Sequence, residues 1–194
     1  MMKQMVVVLA LAVCSVTGAR GQMGQTAPKV PAGTIIEPSK SFDALLKIYE
    51  DEMMGAVNAM PADKYNFAPS QAIFKPEQVV KYDTVRTFGQ MVAHVAQANY
   101  YFYSSLGGGK PDVDMKAIGS MTSKEDTVKA LTDSFAYAHK QIATMTAANA
   151  FASLKDDSTR ATMTGFGIAH GFDHYGQLVE YLRMNGIVPP ASQK

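Results

Sequence analysis

Residues 164–185 read TGFGIAHGFDHYGQLVEYLRMN, with Gly186 and then Pro189-Pro190 following. Met163, Phe166, Gly167, His170, His174, Gln177 and Tyr181 recur at steps of three, four or their sums, so they share one face of a helix, and most of them are apolar or small. A glycine just past the last periodic residue, with prolines beyond it, is a helix stop. The stretch therefore predicts a helix from about Thr164 to Asn185 whose buried stripe carries two histidines.

Three more helices are predicted upstream. Phe42, Leu45, Leu46, Tyr49, Met53, Ala56, Val57 and Met60 keep helical spacing, with Ser41 as the expected N-cap and Pro61 as the stop. From Ala62 to Thr84, Pro69 and Pro76 interrupt scattered aromatics, which predicts a long connection. The second helix is expected from Val85 to Leu106 and ends at Gly107-Gly108-Gly109; with no strand before them, these glycines are a stop and not a phosphate loop. Ser123, followed by Glu125 and Asp126, opens the third, along Val128, Leu131, Phe135, Ala138, Ile142 and Met145. Ala147 to Thr162 is a small, polar connection. No segment sustains a strand period, so the fold expected is all-α: a four-helix bundle with a long connection between helices 1 and 2.

Residues 1–19 differ in kind. Lys3 precedes an almost wholly apolar run from Met5 to Val16, and Thr17-Gly18-Ala19 supplies small residues at a cleavage spacing, the pattern of a secretory signal peptide. The run is shorter than the roughly 20 apolar residues that a spanning helix needs, and no stable membrane span is expected. Leu11-Ala12-Val13-Cys14 has the outline of a lipoprotein attachment site, although Val13 stands where a small residue is wanted. Residues 20–40, rich in Gly, Pro and Gln, are expected to be a tether, 41–190 the bundle and 191–194 a short tail. The localisation expected is periplasmic or extracellular.

The chain carries 18 Lys and Arg against 17 Asp and Glu, a net charge of +1, and hydrophobic residues make up 47 %. That balance points away from nucleic acid as a partner. Cleavage after Ala19 would remove Lys3 and Cys14, leaving 17 basic against 17 acidic groups and no thiol for disulfides, nucleophilic catalysis or metal ligation.

The chemistry then rests on histidines. His170 and His174 lie one turn apart, within about 40° on one face, so both rings reach the same point. His94 occupies the expected inward face of the second helix with Met91, Ala98 and Tyr101. A single core histidine is accounted for by a bond to a backbone carbonyl or a tyrosine hydroxyl. Three inward imidazoles from two helices are instead the donor set of a divalent metal with an open coordination position. Around them, Gln177 is a candidate hydrogen-bond donor to a ligand, Asp173 a candidate to orient an imidazole, Glu52 a candidate general base, and Tyr101 and Tyr181 nearby polar groups. His139 reads as a boundary residue, and Glu52 or His139 as a fourth ligand would close the site. The thirteen methionines form no tight repeat and read as core filling.

The single histidine of the second helix, the run Ala169-His170-Gly171-Phe172-Asp173-His174-Tyr175-Gly176-Gln177-Leu178, and Leu182-Arg183-Met184-Asn185-Gly186-Ile187-Val188-Pro189-Pro190 together resemble the DinB family, also called DinB/YfiT-like metalloenzymes, across roughly Ser41 to Pro190. The resemblance implies a four-helix bundle, often dimeric, that binds a divalent metal through residues matching His94, His170 and His174. Some relatives are thiol S-transferases or isomerases of thiol conjugates. A signal peptide sets this chain apart, because low-molecular-weight thiol chemistry belongs to a reducing cytosol. The expectation is an exported protein with zinc or nickel at an open three-histidine site, acting on an unknown small molecule as a hydrolase or transferase. The alternative is a non-enzymatic periplasmic metal- or ligand-binding bundle. No residue is assigned as catalytic.

Overall fold

The computed structural model describes residues 30–73, 75–79, 85–107 and 109–193. The expected signal peptide over 1–19, with Cys14, lies outside these residues, as do 20–29 of the expected tether and Lys194. The chain divides into two units, Met1–Ile35 and Ile36–Lys194. In the first, the described residues make one turn, in which the Thr34 N–H donates to the Pro31 carbonyl over 3.2 Å. All that follows concerns the second.

Helix α1 spans Pro38–Ala59. It starts ahead of the expected Ser41 because proline's fixed φ suits a first helical turn, and the Ser41 N–H already donates to the Glu37 carbonyl over 3.1 Å. Its inward stripe is Leu46, Tyr49, Met53, Ala56 and Val57. The connection that follows is long, as expected, and includes short 3-10 turns at Ala62–Lys64 and Gln71–Ile73.

Helix α2, Phe88–Ser104, begins three residues after the expected Val85. The cap decides this: Thr87 Oγ1 accepts from the Gln90 N–H over 3.2 Å, and Gln90 Oε1 accepts from the Thr87 N–H over 2.9 Å. A five-residue helix absent from the sequence reading, α3, follows at Met115–Gly119. It is too short to display a period, and it forms because Asp114 accepts from the N–H groups of Lys116 and Ala117 while Ile118 is buried.

Helix α4, Lys124–Ile142, opens at the expected cap, with Ser123 Oγ accepting from the Asp126 N–H over 3.0 Å. The expected polar connection after it holds a small antiparallel hairpin, β1 Ser153–Lys155 with β2 Ser158–Thr159. Its turn places Asp156 at φ 55°, a left-handed conformation that Asp tolerates better than most residues. Helix α5, Arg160–Met184, begins four residues before the expected Thr164, because Thr159 and Thr162 cap each other reciprocally.

The four long helices are the expected four. Both α1 and α2 pack against α4 and α5, so these helices form a ring in the order α1, α4, α2, α5, and α3 lies on α2. The core between them is apolar and aromatic, with Leu46, Tyr49, Met53, Val92, Tyr103, Phe135 and Leu182 fully enclosed or nearly so. Burial raises the ionisation of the Tyr49 and Tyr103 phenols well above the ordinary tyrosine range. Two features set α5 against its neighbours. Gly171 faces Tyr49 so closely that a methyl group there would overlap the phenol ring. Arg160 donates from Nε to the Leu106 carbonyl over 2.9 Å and from Nη1 to the Asn149 carbonyl over 3.4 Å, joining the start of α5 to the end of α2. Among the described residues, no helix is long and apolar enough to cross a membrane.

Candidate metal centre

Two helices meet at the histidines. His94 comes from the middle of α2, and His170 and His174 from consecutive turns of α5. Their ring centroids lie 4.4 Å apart for His170 and His174, 4.8 Å for His94 and His174, and 5.4 Å for His94 and His170, with interplanar angles of 81°, 85° and 60°. One nitrogen from each ring falls within 4.8 Å of the others. His170 Nε2 and His174 Nε2 are 3.2 Å apart. Two nitrogens at about 2.0 to 2.1 Å from a tetrahedral ion would be roughly 3.3 Å apart, so that edge already has the dimensions of a shared metal.

Burial favours the neutral form of His94 and His170. Burial lowers the His94 pKa to about 4, aided by the positive charge of Arg86 and by the other two rings. His170 is lowered as well, first by burial and then by His174; Asp173 opposes the shift. Neutral imidazole is the form that ligates a metal. His174 is almost enclosed, at 8 % exposure, and its Nδ1 lies 2.9 Å from Gln177 Oε1. An amide oxygen only accepts, so Nδ1 carries the proton and the Nε2 lone pair is directed at His170 and the shared point.

The other candidates from the sequence are distributed differently. Gln177, aligned with His170 by helical spacing, instead bonds His174, and its Nε2 donates to Asp173 Oδ2 over 3.4 Å. Asp173 thus reaches His174 through Gln177 and acts on His170 only through its charge. The Tyr181 hydroxyl donates to the Arg86 backbone carbonyl over 3.1 Å. Glu52 stands outside the histidine group, and its charge acts on Tyr175. His139 bridges two carboxylates of α1, with Nδ1 2.5 Å from Asp43 Oδ1 and Nε2 3.3 Å from Glu50 Oε2. Neither Glu52 nor His139 is a fourth member of the group.

Tyr101 and Phe166 depart from the expected burial, at 66 % and 61 % exposure. Both belong to the stripes that carry the histidines, seven residues after His94 and four before His170. Phe102 connects them to the site, lying 5.2 Å from each of their rings and 5.3 Å from His170.

Sequence reading missed the residues beside His94. An open cleft of about 440 Å³ is lined by Val85, Arg86, Gln90, His94, Gln97 and Gly119. The signal lay in the spacing, since Gln90 and Gln97 stand four before and three after His94, on the same helical face. Gln97 Nε2 also donates to the Met115 carbonyl over 2.6 Å, which ties α3 to the rim.

A family model described as the DinB superfamily matches residues 45–178, a span that contains all three histidines and the whole of α2. No curated protein matches the chain.

Proposed function

The chain belongs to the DinB superfamily, and from that premise we propose that it is an exported protein in which His94, His170 and His174 hold one divalent ion, zinc or nickel, for hydrolysis or group transfer on a small molecule. The observation that carries this reading is the convergence of three imidazoles, with one nitrogen of each within 4.8 Å of the others. The donor set suits the group, since all-nitrogen imidazole sites are favoured by zinc, nickel and their neighbours.

A divalent ion held there supplies Lewis acidity toward a carbonyl or a water molecule. The protein's own part is positional. Gln177 fixes the His174 tautomer, burial keeps His94 deprotonated, and the open cleft beside His94 leaves room for a ligand. Export rests on the pattern of residues 1–19, and pairing of two chains rests on family resemblance and on the many apolar residues of a four-helix chain.

A non-enzymatic binding role is the second reading. It draws support from the Tyr181 hydroxyl and the Gln177 amide being engaged by the Arg86 backbone and His174, and from Glu52 standing elsewhere. Elemental analysis of protein exported by its native host, together with a screen of ester, amide and thiol-conjugate substrates, tests both. About one ion per chain, lost in His94→Ala, His170→Ala and His174→Ala, is the expected result, and full retention in any two variants overturns the site. Turnover above that of free metal supports the enzyme; none supports the binding role.

A further inference from the structure

The cleft beside His94 has a definite electrostatic character. Among the described residues that line it, Arg86 supplies the one formal charge and none is a carboxylate. Gln90 Oε1 is already engaged by the Thr87 N–H, which leaves the Gln90 amide N–H groups as donors. Gln97 has the reverse arrangement, its amide nitrogen being committed to Met115. The exposed Arg86 guanidinium forms no ion pair among the described residues, and its charge reaches both His94 and His170.

Three neutral imidazoles cancel none of the charge of a divalent ion. An ion at the histidines and Arg86 at the cleft would therefore place two cationic centres along one wall. Asp173, the carboxylate whose field reaches His170, lies on α5 and bonds Gln177. A ligand that bridges these centres has to bring the negative charge itself.

We infer that the cleft selects a small organic anion, its carboxylate paired with the Arg86 guanidinium and assisted by the Gln90 amide, with the adjoining part of the molecule presented to the histidine site. Arginine is suited to the task because its planar fork matches both oxygens of a carboxylate, whereas neutral molecules of the same shape forgo that pair. This inference deepens the metal-site reading and rests on it for the role of the histidines, but Arg86 recognises the anion by itself.

Benzoate and its neutral counterpart benzamide serve as probes. The full mature protein, loaded with cobalt(II), is titrated with each while its visible absorption is followed, and the metal-free protein is titrated by calorimetry. The expected result is that benzoate binds at least about ten-fold more tightly than benzamide, and that Arg86→Gln weakens benzoate by about ten-fold or more while cobalt content stays at one per chain. Equal benzoate affinity in wild type and Arg86→Gln overturns the inference, as does equal affinity for the two probes. Failure of the wild-type chain to retain cobalt overturns the metal reading instead, and the calorimetric comparison of wild type with Arg86→Gln still decides the role of Arg86.

Discussion

Gln177 Oε1 lies 2.9 Å from His174 Nδ1, three residues earlier on the same helix, and Gln177 Nε2 turns back to Asp173 Oδ2 at 3.4 Å. The second contact orients the amide, and the first turns an imidazole of ambiguous protonation into one that presents its Nε2 lone pair. A residue outside the three-histidine cluster thereby sets the direction of one of its donor nitrogens.

Replacing Gln177 with Ala is expected to weaken metal binding by about 10- to 100-fold, the range typical for lost partners of a ligating imidazole. Asp173→Ala, one bond further out, is expected to cost less. Competition with a chromophoric chelator measures both, and an Asp173→Ala loss larger than that of Gln177→Ala would refute the proposed chain of contacts.

Gly171→Ala should destabilise the bundle, because the new methyl group collides with the enclosed Tyr49 phenol. Overpacking of this kind costs about 1 to 3 kcal/mol. Urea unfolding measures it, and shortening the opposing side chain in the double variant Gly171→Ala/Tyr49→Leu should recover part of the loss if the two residues are coupled. Simple additivity would count against the collision.

Arg160→Ala should destabilise by about 1 to 3 kcal/mol, since it removes a charged donor from the Leu106 and Asn149 carbonyls. Because Arg160 joins the two helices that carry the histidines, metal affinity is expected to fall along with stability. Thermal unfolding with and without zinc separates the effects: a larger loss with zinc is expected, and an equal loss in both would show that the histidine geometry does not depend on this tie.

The metal-free protein should lose stability as the medium is acidified. His94 has a folded-state pKa of about 4 against an ordinary value of 6.5, so between those values the unfolded chain binds the additional proton. Stability from this source is complete above about pH 6.5 and falls as the pH drops toward 4. His170, shifted in the same direction, adds to the slope. Urea midpoints across pH 4 to 7 test this, and in His94→Gln the slope should become shallower; an unchanged slope would assign the acid sensitivity to other groups.

The four long helices, the long connection between the first two and the meeting of His170 with His174 were determined by the sequence itself, because each depends on contacts within a turn or two of the chain. Period, cap and stop residues act over three or four positions, and Ser123 capped its helix where the sequence said it would. His94 joined the pair through its place on the inward face of the second helix, and the fold brought all three together. Tertiary structure alone decided how the inter-helix contacts were shared out. His139 bonds Asp43 and Glu50, which lie 96 and 89 residues away. Tyr101 and Phe166 stay open to solvent although they occupy histidine-bearing stripes. The physical reason is that helical spacing gives a residue's angle around its own axis but not what stands opposite it. Whether that angle meets a carboxylate, a ring or water is set by how the helices pack.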